Sequence, residues 1–272
     1  MIHHIDRRPL SRKHGITILC FGDLQYGAKG FSEEAWESFK DEFKSTPNCY
    51  ALGLGDYSDL MRPSMRGRVI PAISHDDSTR QQLDDMVRRD QDKLIDKMAF
   101  LEGKLLGIHN GHHCVEFADG TNSDQRIASA LKAPYLGWMA STRLTLAKEH
   151  TQASSYTYTI VSMHGQANAR RTGGATAWLE NNHISTREAD HYIMGHNCKA
   201  AAWVPHERRH IRRRGPPGED VSLPRALNVG GFHSGYTNGW ESSYVEKAGF
   251  APQPLGWWWI HIKETRAKVA QE

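Results

Sequence analysis

The sequence predicts an α/β fold, because short apolar runs of strand length alternate with segments of helical periodicity. Residues 16–21 form a run rich in β-branched side chains, which is typical of a strand buried on both faces of a parallel sheet. Residues 49–54 form a second such run. Between them, Trp36, Phe39 and Phe43 recur at the spacing of one face of a helix, and Ser32 is expected to cap that helix at its start. This order of strand, helix and strand is a β-α-β unit.

The rest of the chain continues the alternation. A loop is predicted over 60–80. Helices are predicted over 80–102, over a segment that follows a capping turn at 119–124 and ends at residue 131, and over 175–182. Strands are predicted over 104–108, 135–146, 155–163, 191–194, 226–231 and 255–262.

Composition narrows the class of protein. The 272 residues suit one large α/β domain or two small ones, and 39% hydrophobic with 24% charged residues is ordinary for a globular chain. No apolar run approaches the roughly 20 residues that span a bilayer. The first residues lack an apolar signal region, so we expect an intracellular, cytoplasmic protein without a membrane partner. Four cysteines without a CxxC pair argue against a disulfide framework, and a net charge of +3 does not by itself indicate nucleic acid.

Five of the apolar runs share one feature, which is that each is followed at once by a metal-ligating type of residue. These endings are Gly22-Asp23, Gly55-Asp56, Gly111-His112-His113, His164-Gly165 and Gly195-His196. In open α/β sheets, ligands bind beyond the carboxyl ends of the strands. Carboxylates and imidazoles that meet there suit divalent cations, and mixed O/N ligands suit two ions roughly 3.5–4 Å apart. The sequence therefore predicts a metal centre at one edge of the fold.

Simpler interpretations of the same residues stay open at this stage. Asp23 and Asp56 could be turn formers or helix caps, and His164 and His196 could be buried structural histidines. Asn110 could supply an amide ligand in place of His112. Likewise, a free cysteine is often a small buried hydrophobe.

The five endings resemble, in order and spacing, the motifs DxH, GD, GNH(D/E), H and GHxH of the calcineurin-like metallophosphoesterases. The matching segments are Asp23-Leu24-Gln25, Gly55-Asp56, Gly111-His112-His113, His164 and Gly195-His196-Asn197-Cys198, within residues 15–200. The form of the third motif and the tail over 236–256 are most similar to phage and prophage members. The expected compartment is thus the cytoplasm of a bacterial or archaeal host.

The resemblance implies a four-layer α/β/β/α sandwich with two mixed sheets. It implies one domain over 1–272, with the strands and loops of 201–272 completing the second sheet. It also implies a role for each matching residue. Asp23 would bind the first of two divalent ions, Asp56 would bridge both, and His164 and His196 would bind the second. His113 would protonate the leaving oxygen or hold the phosphate in place.

Three positions depart from the family pattern. Gln25 stands where the family has a ligand histidine, His112 where it has a ligand asparagine, and Cys198 where it has another ligand histidine. We expect all three as ligands, with the first metal site as the weaker one. A Cys198 thiolate would favour zinc or iron, with manganese as the other expected metal.

The predicted function is hydrolysis of a phosphodiester by a metal-activated hydroxide, as in a phosphodiesterase or nuclease acting on DNA or RNA, with Asp56 and His113 as catalytic residues. Arg170 and Arg171 are expected to bind the substrate phosphate. The arginine-rich segment 208–214 is either a solvated hairpin or a contact for a phosphate backbone. The tryptophans of 257–259 are expected to pack in the core, whereas an outward one would stack on a base or contact a second copy, which leaves a homo-oligomer open. The alternative functions are a catalytically decayed nucleic-acid-binding protein and a phosphomonoesterase.

Overall fold

The structure is a computed structural model that describes residues 2–10, 15–59, 77–148, 151–166, 171–211, 218–236, 244–247, 249 and 251–262. The loop predicted over 60–80 falls largely outside these residues, and so do Arg170 and residues 212–214 of the arginine-rich segment. Within the described part, no helix has the length and apolar character needed to cross a membrane.

Two mixed sheets account for most of the strands. The five-stranded sheet has the order β13-β2-β3-β4-β5, and the six-stranded sheet has the order β1-β6-β7-β8-β12-β9. The strands are β1 Ile2–Leu10, β2 Ile16–Phe21, β3 Cys49–Gly53, β4 Leu105–His109, β5 Tyr135–Gly137, β6 Met139–Lys148, β7 Thr151–Met163, β8 His191–Met194, β9 Ala201–Trp203, β10 Arg208–Ile211, β11 Glu219–Ser222, β12 Arg225–Asn228 and β13 Trp258–Ile262. Strands β2 to β5 run parallel, as do β7, β8 and β12. The carboxyl ends of several neighbouring strands therefore share an edge.

Helices cover the outer faces of both sheets. They are α1 Glu33–Ser45, α2 Asp77–Met98 with a 3-10 turn Ala99–Leu101, α3 Ser123–Ala130, α4 Thr172–Leu179 with a π-helical turn Glu180–Ile184, and α5 Tyr244–Lys247. Helix α1 begins as the sequence predicts, with the Ser32 hydroxyl accepting the Ala35 N–H.

Three apolar clusters define the layers. The first lies between the two sheets, where Ile18 and Leu52 of one sheet meet Ile160 and Ile193 of the other. The second packs the outer face of the five-stranded sheet against α1, α2 and α3. The third packs β7 and β8 against α4. This arrangement confirms the predicted four-layer α/β/β/α fold with two mixed sheets.

Two predictions about strands need correction. The strand predicted over 135–146 is two strands in different sheets, because Gly137 takes a φ of 65° and the chain crosses from β5 to β6 there. Residues 201–272 were expected to complete the second sheet. Strands β9 and β12 do lie in it, whereas β13 pairs antiparallel with β2 in the first sheet. The apolar content of β13 suits either sheet, so the pattern alone did not choose between them.

Candidate metal centre

The predicted strand endings of the two sheets come together at one edge of the sandwich. One potential ligand atom each from Asp56, His112, His164 and His196 lies within 4.8 Å of the others, and we call these four residues the strand-end cluster. Asp56 follows β3 and His112 follows β4, while His164 and His196 follow β7 and β8 of the other sheet. The cluster therefore forms only when both sheets are packed, since each contributes two of its members.

Two hydrogen bonds join the sheets at this edge. The His164 ring donates from Nδ1 to the Leu54 carbonyl at 2.7 Å, and the backbone N–H of His196 donates to Asp23 Oδ2 at 2.8 Å. Because a carbonyl only accepts, Nδ1 of His164 carries a proton, and its Nε2 faces the cluster. These contacts orient the imidazole as expected of a metal ligand.

His164 Nε2 provides the test of whether a cation fits. This nitrogen is fully buried, lies 3.3 Å from Asp56 Oδ2 and has no hydrogen-bond partner of good geometry among the described residues. An unsatisfied buried nitrogen beside a carboxylate is costly unless another group satisfies it. Neighbouring imidazoles and a carboxylate form the donor set of a divalent transition metal, so the residues present fit one.

The buried carboxylates of Asp23 and Asp56 favour positive charge next to them. Burial raises the pKa of Asp23 to about 7, with nearby Asp56 adding to the shift. Burial would also raise the pKa of Asp56, but its contacts with His164 and His113 hold that pKa below the usual range. Burial lowers the pKa of His164, yet Asp56 and Asp23 outweigh it and raise that pKa to about 9. Cationic charge is therefore stabilised at this position.

Backbone strain concentrates at the same edge. Five predicted ligands have φ angles between 49° and 72°, and they are among the seven non-glycine residues with positive φ in the described part of the chain. They are Asp23, Gln25, Asp56, His196 and Cys198. Such conformations cost of order 1–3 kcal/mol each and persist only where the surroundings fix them, most often at functional sites.

The geometry favours His112 over Asn110 as the cluster member. His112 Nδ1 lies 3.1 Å from His196 Nδ1, and its ring centroid is 4.8 Å from that of His164. The Asn110 amide is engaged elsewhere, because its oxygen accepts the Tyr135 hydroxyl at 3.1 Å and its nitrogen contacts Cys114 Sγ at 3.3 Å.

The other three predicted ligands lie beside the cluster rather than in it. Asp23 accepts the His196 N–H, and the Gln25 Nε2 donates to Asp56 Oδ2 at 3.3 Å. The Cys198 thiol lies next to Asp23, and burial together with that carboxylate raises its pKa well above the usual range. Asp23, Gln25 and Cys198 thus remain predicted ligands, and we call them the flanking group.

His113 occupies the open side of the cluster. Its backbone N–H donates to Asp56 Oδ1 at 2.8 Å. Its ring lies between two carboxylates, with Nδ1 at 3.3 Å from Asp59 Oδ1 and Nε2 at 3.8 Å from Asp56 Oδ2. Asp59 is a site residue that the sequence analysis missed. The available signal was its position three residues after Asp56, in Asp-Tyr-Ser-Asp.

Asp124 is a second missed residue, and it lies behind the cluster. Its carboxylate is buried and accepts the Gly111 N–H at 2.8 Å, so it holds the loop that carries His112 and His113. Burial raises the pKa of Asp124 to about 7. Gly111 must be glycine, since a Cβ there would lie 2.1 Å from the Asp56 nitrogen. The sequence analysis placed Asp124 in a helix-capping turn, and that turn does cap α3, through Asn122.

The two arginines predicted to bind phosphate remain a prediction. Arg171 is exposed just before α4, and Arg170 lies outside the described residues. In the arginine-rich segment, Arg208 donates to the Ala189 carbonyl at 3.0 Å. Arg209 pairs with two glutamates, Glu207 and Glu219. Strands β10 and β11 form a separate antiparallel hairpin, as one of the two interpretations of this segment predicts.

Comparisons with known proteins give only distant likenesses. No family model matches the chain, and no curated protein sequence matches it. Vps29 from Chaetomium thermophilum is a similar solved structure, with 12% identity, a TM-score of 0.40 and coverage of 92% of this chain and 83% of that one. A conserved protein from Streptococcus pneumoniae, described as a predicted phosphoesterase, has 14% identity, a TM-score of 0.31 and coverage of 82% and 76%. The calcineurin-like phosphoesterase YfkN from Bacillus subtilis has 12% identity, a TM-score of 0.36 and coverage of 68% and 72%. At these identities and TM-scores, the likenesses assign neither a family nor an activity to this chain.

Proposed function

We propose that this protein is a metal-dependent phosphoesterase of the calcineurin-like type that hydrolyses a phosphodiester. The observation that carries the proposal is the strand-end cluster, in which a carboxylate and three imidazoles from four separate strand endings converge within 4.8 Å. Its buried members, Asp56 and His164, are costly to bury without a cation, and the cluster lies at the edge of the sheets where α/β folds bind ligands.

The residues of the site form two sets of candidate metal ligands. His112, His164, His196 and Asp56 would hold one divalent ion, with Asp56 also facing the flanking group, which would hold a second. When bound, such ions polarise a phosphoryl oxygen and make a coordinated water a stronger acid. The flanking group offers an amide and a protonated thiol in place of imidazoles, so we expect the second ion to bind more weakly.

His113 would deliver the proton that the leaving oxygen needs. Its Nδ1 faces Asp59, which orients the ring, while Nε2 faces Asp56 of the cluster. As the bond between phosphorus and the leaving oxygen breaks, the proton on Nε2 passes to that oxygen. The His113 backbone N–H, in turn, keeps the Asp56 carboxylate in place.

The first experiment compares turnover of bis-p-nitrophenyl phosphate, with added manganese, between the wild-type protein and Asp56→Asn. We expect the variant to lose at least about 100-fold in kcat, because a ligand carboxylate supports several kcal/mol of charge stabilisation. Manganese binding measured by calorimetry should weaken in parallel. The control is Asp41→Asn, which removes an exposed carboxylate of α1 and should change neither quantity.

Two other outcomes separate the alternative functions. Manganese binding without turnover, together with salt-sensitive binding of DNA, would favour a catalytically decayed nucleic-acid-binding protein, a possibility raised by Gln25 and Cys198. Faster turnover of p-nitrophenyl phosphate than of the diester would favour a phosphomonoesterase. Absence of any metal binding would contradict the proposal as a whole.

A further inference from the structure

Trp138 is a half-exposed aromatic side chain at the rim of the strand-end cluster. It is 51% exposed, and its ring centroid lies 5.0 Å from that of His112 and 6.3 Å from that of His164. It is the single residue between β5 and β6, where the chain passes from one sheet to the other. One side of the indole thus adjoins the cluster, while about half of its surface is open to solvent.

The backbone around Trp138 is tied to the loops that supply the cluster. The Trp138 carbonyl accepts the His164 N–H at 3.3 Å, and the Gly137 carbonyl accepts the Asn110 N–H at 2.9 Å. The Gly137 carbonyl also accepts a hydrogen bond from the buried ring of His109 at 2.9 Å. The backbone that carries the indole is therefore fixed beside the cluster, so little backbone freedom would be lost when a ligand contacts the ring.

An exposed tryptophan alone says little, since single exposed apolar residues are common. Trp259 illustrates this, because it is 49% exposed on the edge strand β13. Trp138 differs from Trp259 in its position beside the strand-end cluster. A phosphoester bound at the cluster would place the group next to its phosphorus within reach of Trp138. A flat aromatic ring is the group that gains most from such a surface, by about 1–3 kcal/mol for a stacked base.

We propose that Trp138 stacks on the nucleobase of the nucleoside that is joined to the scissile phosphate. This inference rests on the proposed function and narrows its substrate class to nucleotide and nucleic-acid phosphodiesters. Trp138 is then a residue that determines specificity, and it takes no part in proton transfer or metal binding. The base is recognised by its flat face, so any of the nucleobases can occupy the position.

The test compares two ligands that share a phosphate and a sugar and differ by the base. Calorimetry with the manganese-loaded protein measures the affinity for adenosine 5′-monophosphate and for ribose 5-phosphate, with phosphate release followed in the same samples. We expect the wild type to prefer the nucleotide. Trp138→Ala should lower the affinity for the nucleotide by about 5- to 100-fold, given the energy of base stacking, and leave the affinity for ribose 5-phosphate within about twofold.

Two variants make the result specific. Trp138→Phe keeps an aromatic face and should retain part of the preference, whereas Trp259→Ala removes an equally exposed indole and should retain all of it. A wild type that binds both ligands equally, or neither, would overturn the inference. An equal loss of both ligands in Trp138→Ala would overturn it as well, because that pattern means damage to the phosphate site.

Further outcomes separate the inference from the proposed function and from another occupant. If diester turnover with manganese is present but the base makes no difference, the inference fails and the proposed function stands. If base-selective binding depends on Trp138 but no diester is turned over, the proposed function fails and the stacking role stands. A wild-type dimer that Trp138→Ala converts to a monomer, in sedimentation velocity, would overturn the inference, since a second copy would then cover the indole.

Discussion

The strand-end cluster and the hairpin of β10 and β11 were both candidates for contact with phosphate, and they differ in how far their polar side chains are already paired with neighbours. In the cluster, polar side chains from distant segments converge on strained backbone, with Asp56 and His164 buried, and His164 Nε2 has no hydrogen-bond partner among the described residues. In the hairpin, Arg209 is exposed and is neutralised by Glu207 and Glu219, while Arg208 anchors the hairpin to the Ala189 carbonyl. Among the described residues of these two regions, the cluster therefore has a buried nitrogen that its neighbours leave unpaired, whereas Arg208 and Arg209 already have partners.

This difference shows why a run of charged residues is weaker evidence for a binding site than the convergence of ligand-type residues from distant segments. Exposed ion pairs form readily between neighbours in sequence, and they contribute little beyond solubility. Burying carboxylates and imidazoles together costs free energy that other interactions in the fold must offset. Such groups are therefore found where a ligand or a reaction requires them. Three kinds of substitution test this contrast. They change, in turn, a buried side chain that supports the cluster, a buried side chain paired within a sheet and an exposed side chain in an ion pair.

The largest of these effects is expected for Asp124, which supports the cluster without belonging to it. Asp124→Ala leaves the buried Gly111 N–H without an acceptor, which should lower the free energy of unfolding by about 1–3 kcal/mol. The loop that carries His112 and His113 would also lose its anchor. We expect kcat on the diester to fall by about 10- to 100-fold, as for other groups that orient metal ligands.

Two variants distinguish this positioning role from general damage. Asp124→Asn keeps an oxygen that can accept the Gly111 N–H, so it should recover most of the turnover and stability. Asp119→Ala removes an exposed carboxylate of the preceding turn, which pairs with Arg88, and should have no measurable effect on turnover. Urea unfolding and steady-state kinetics provide both readouts. Equal losses in the alanine and asparagine variants would contradict the role assigned to the Asp124 oxygen.

Much of the fold could be predicted because its signals are local. The apolar run of 16–21 and the stripe of Trp36, Phe39 and Phe43 both mark elements that the structure contains, and Ser32 caps the helix where expected. The pairing of β13 with β2 was not predictable in this way. Partner choice among strands depends on contacts between residues that lie more than two hundred positions apart.

The same distinction between local sequence signals and contacts made by packing applies to the site residues. Asp56, His112, His164 and His196 could be found because each directly follows an apolar strand and matches a known motif. Asp124 and Trp138 could not, since one looks like a cap and the other like a strand residue. Their importance comes from the Gly111 N–H and the His112 ring, which are brought to them by packing.

A smaller effect is expected for His191, which is buried like His164 of the cluster but paired within the sheet. Its ring contacts the Tyr158 hydroxyl, and burial lowers the pKa of His191 to about 3. The unfolded chain binds a proton near pH 6.5 and the folded chain does not. Stability from this residue is therefore complete above about pH 6.5 and is lost as the pH falls toward 3, by up to about 1.4 kcal/mol per pH unit.

The measurement is the free energy of unfolding by urea between pH 6 and pH 4, with a chelator present so that metal release does not contribute. His191→Gln removes the titrating ring, so its stability should fall less steeply with acid than that of the wild type. The control is His210→Gln, in the hairpin, whose ring is exposed to solvent before and after unfolding. Parallel pH curves for the wild type and His191→Gln would show that this buried histidine does not contribute to acid sensitivity.

The smallest effect is expected for Arg209, and it decides whether the contrast between the two regions is real. Arg209→Ala removes a guanidinium that Glu207 and Glu219 already neutralise, so stability should not change measurably. Binding to a single-stranded DNA oligonucleotide should keep the same dependence on salt as in the wild type. A guanidinium that contacted a phosphate would lower the salt slope by about 1 when removed. The matched control is Lys40→Ala, another cation paired with a glutamate, on α1. A slope that drops for Arg209→Ala and not for Lys40→Ala would mean that the hairpin exchanges its glutamates for phosphate, and that paired charges at the surface can also form part of the binding site.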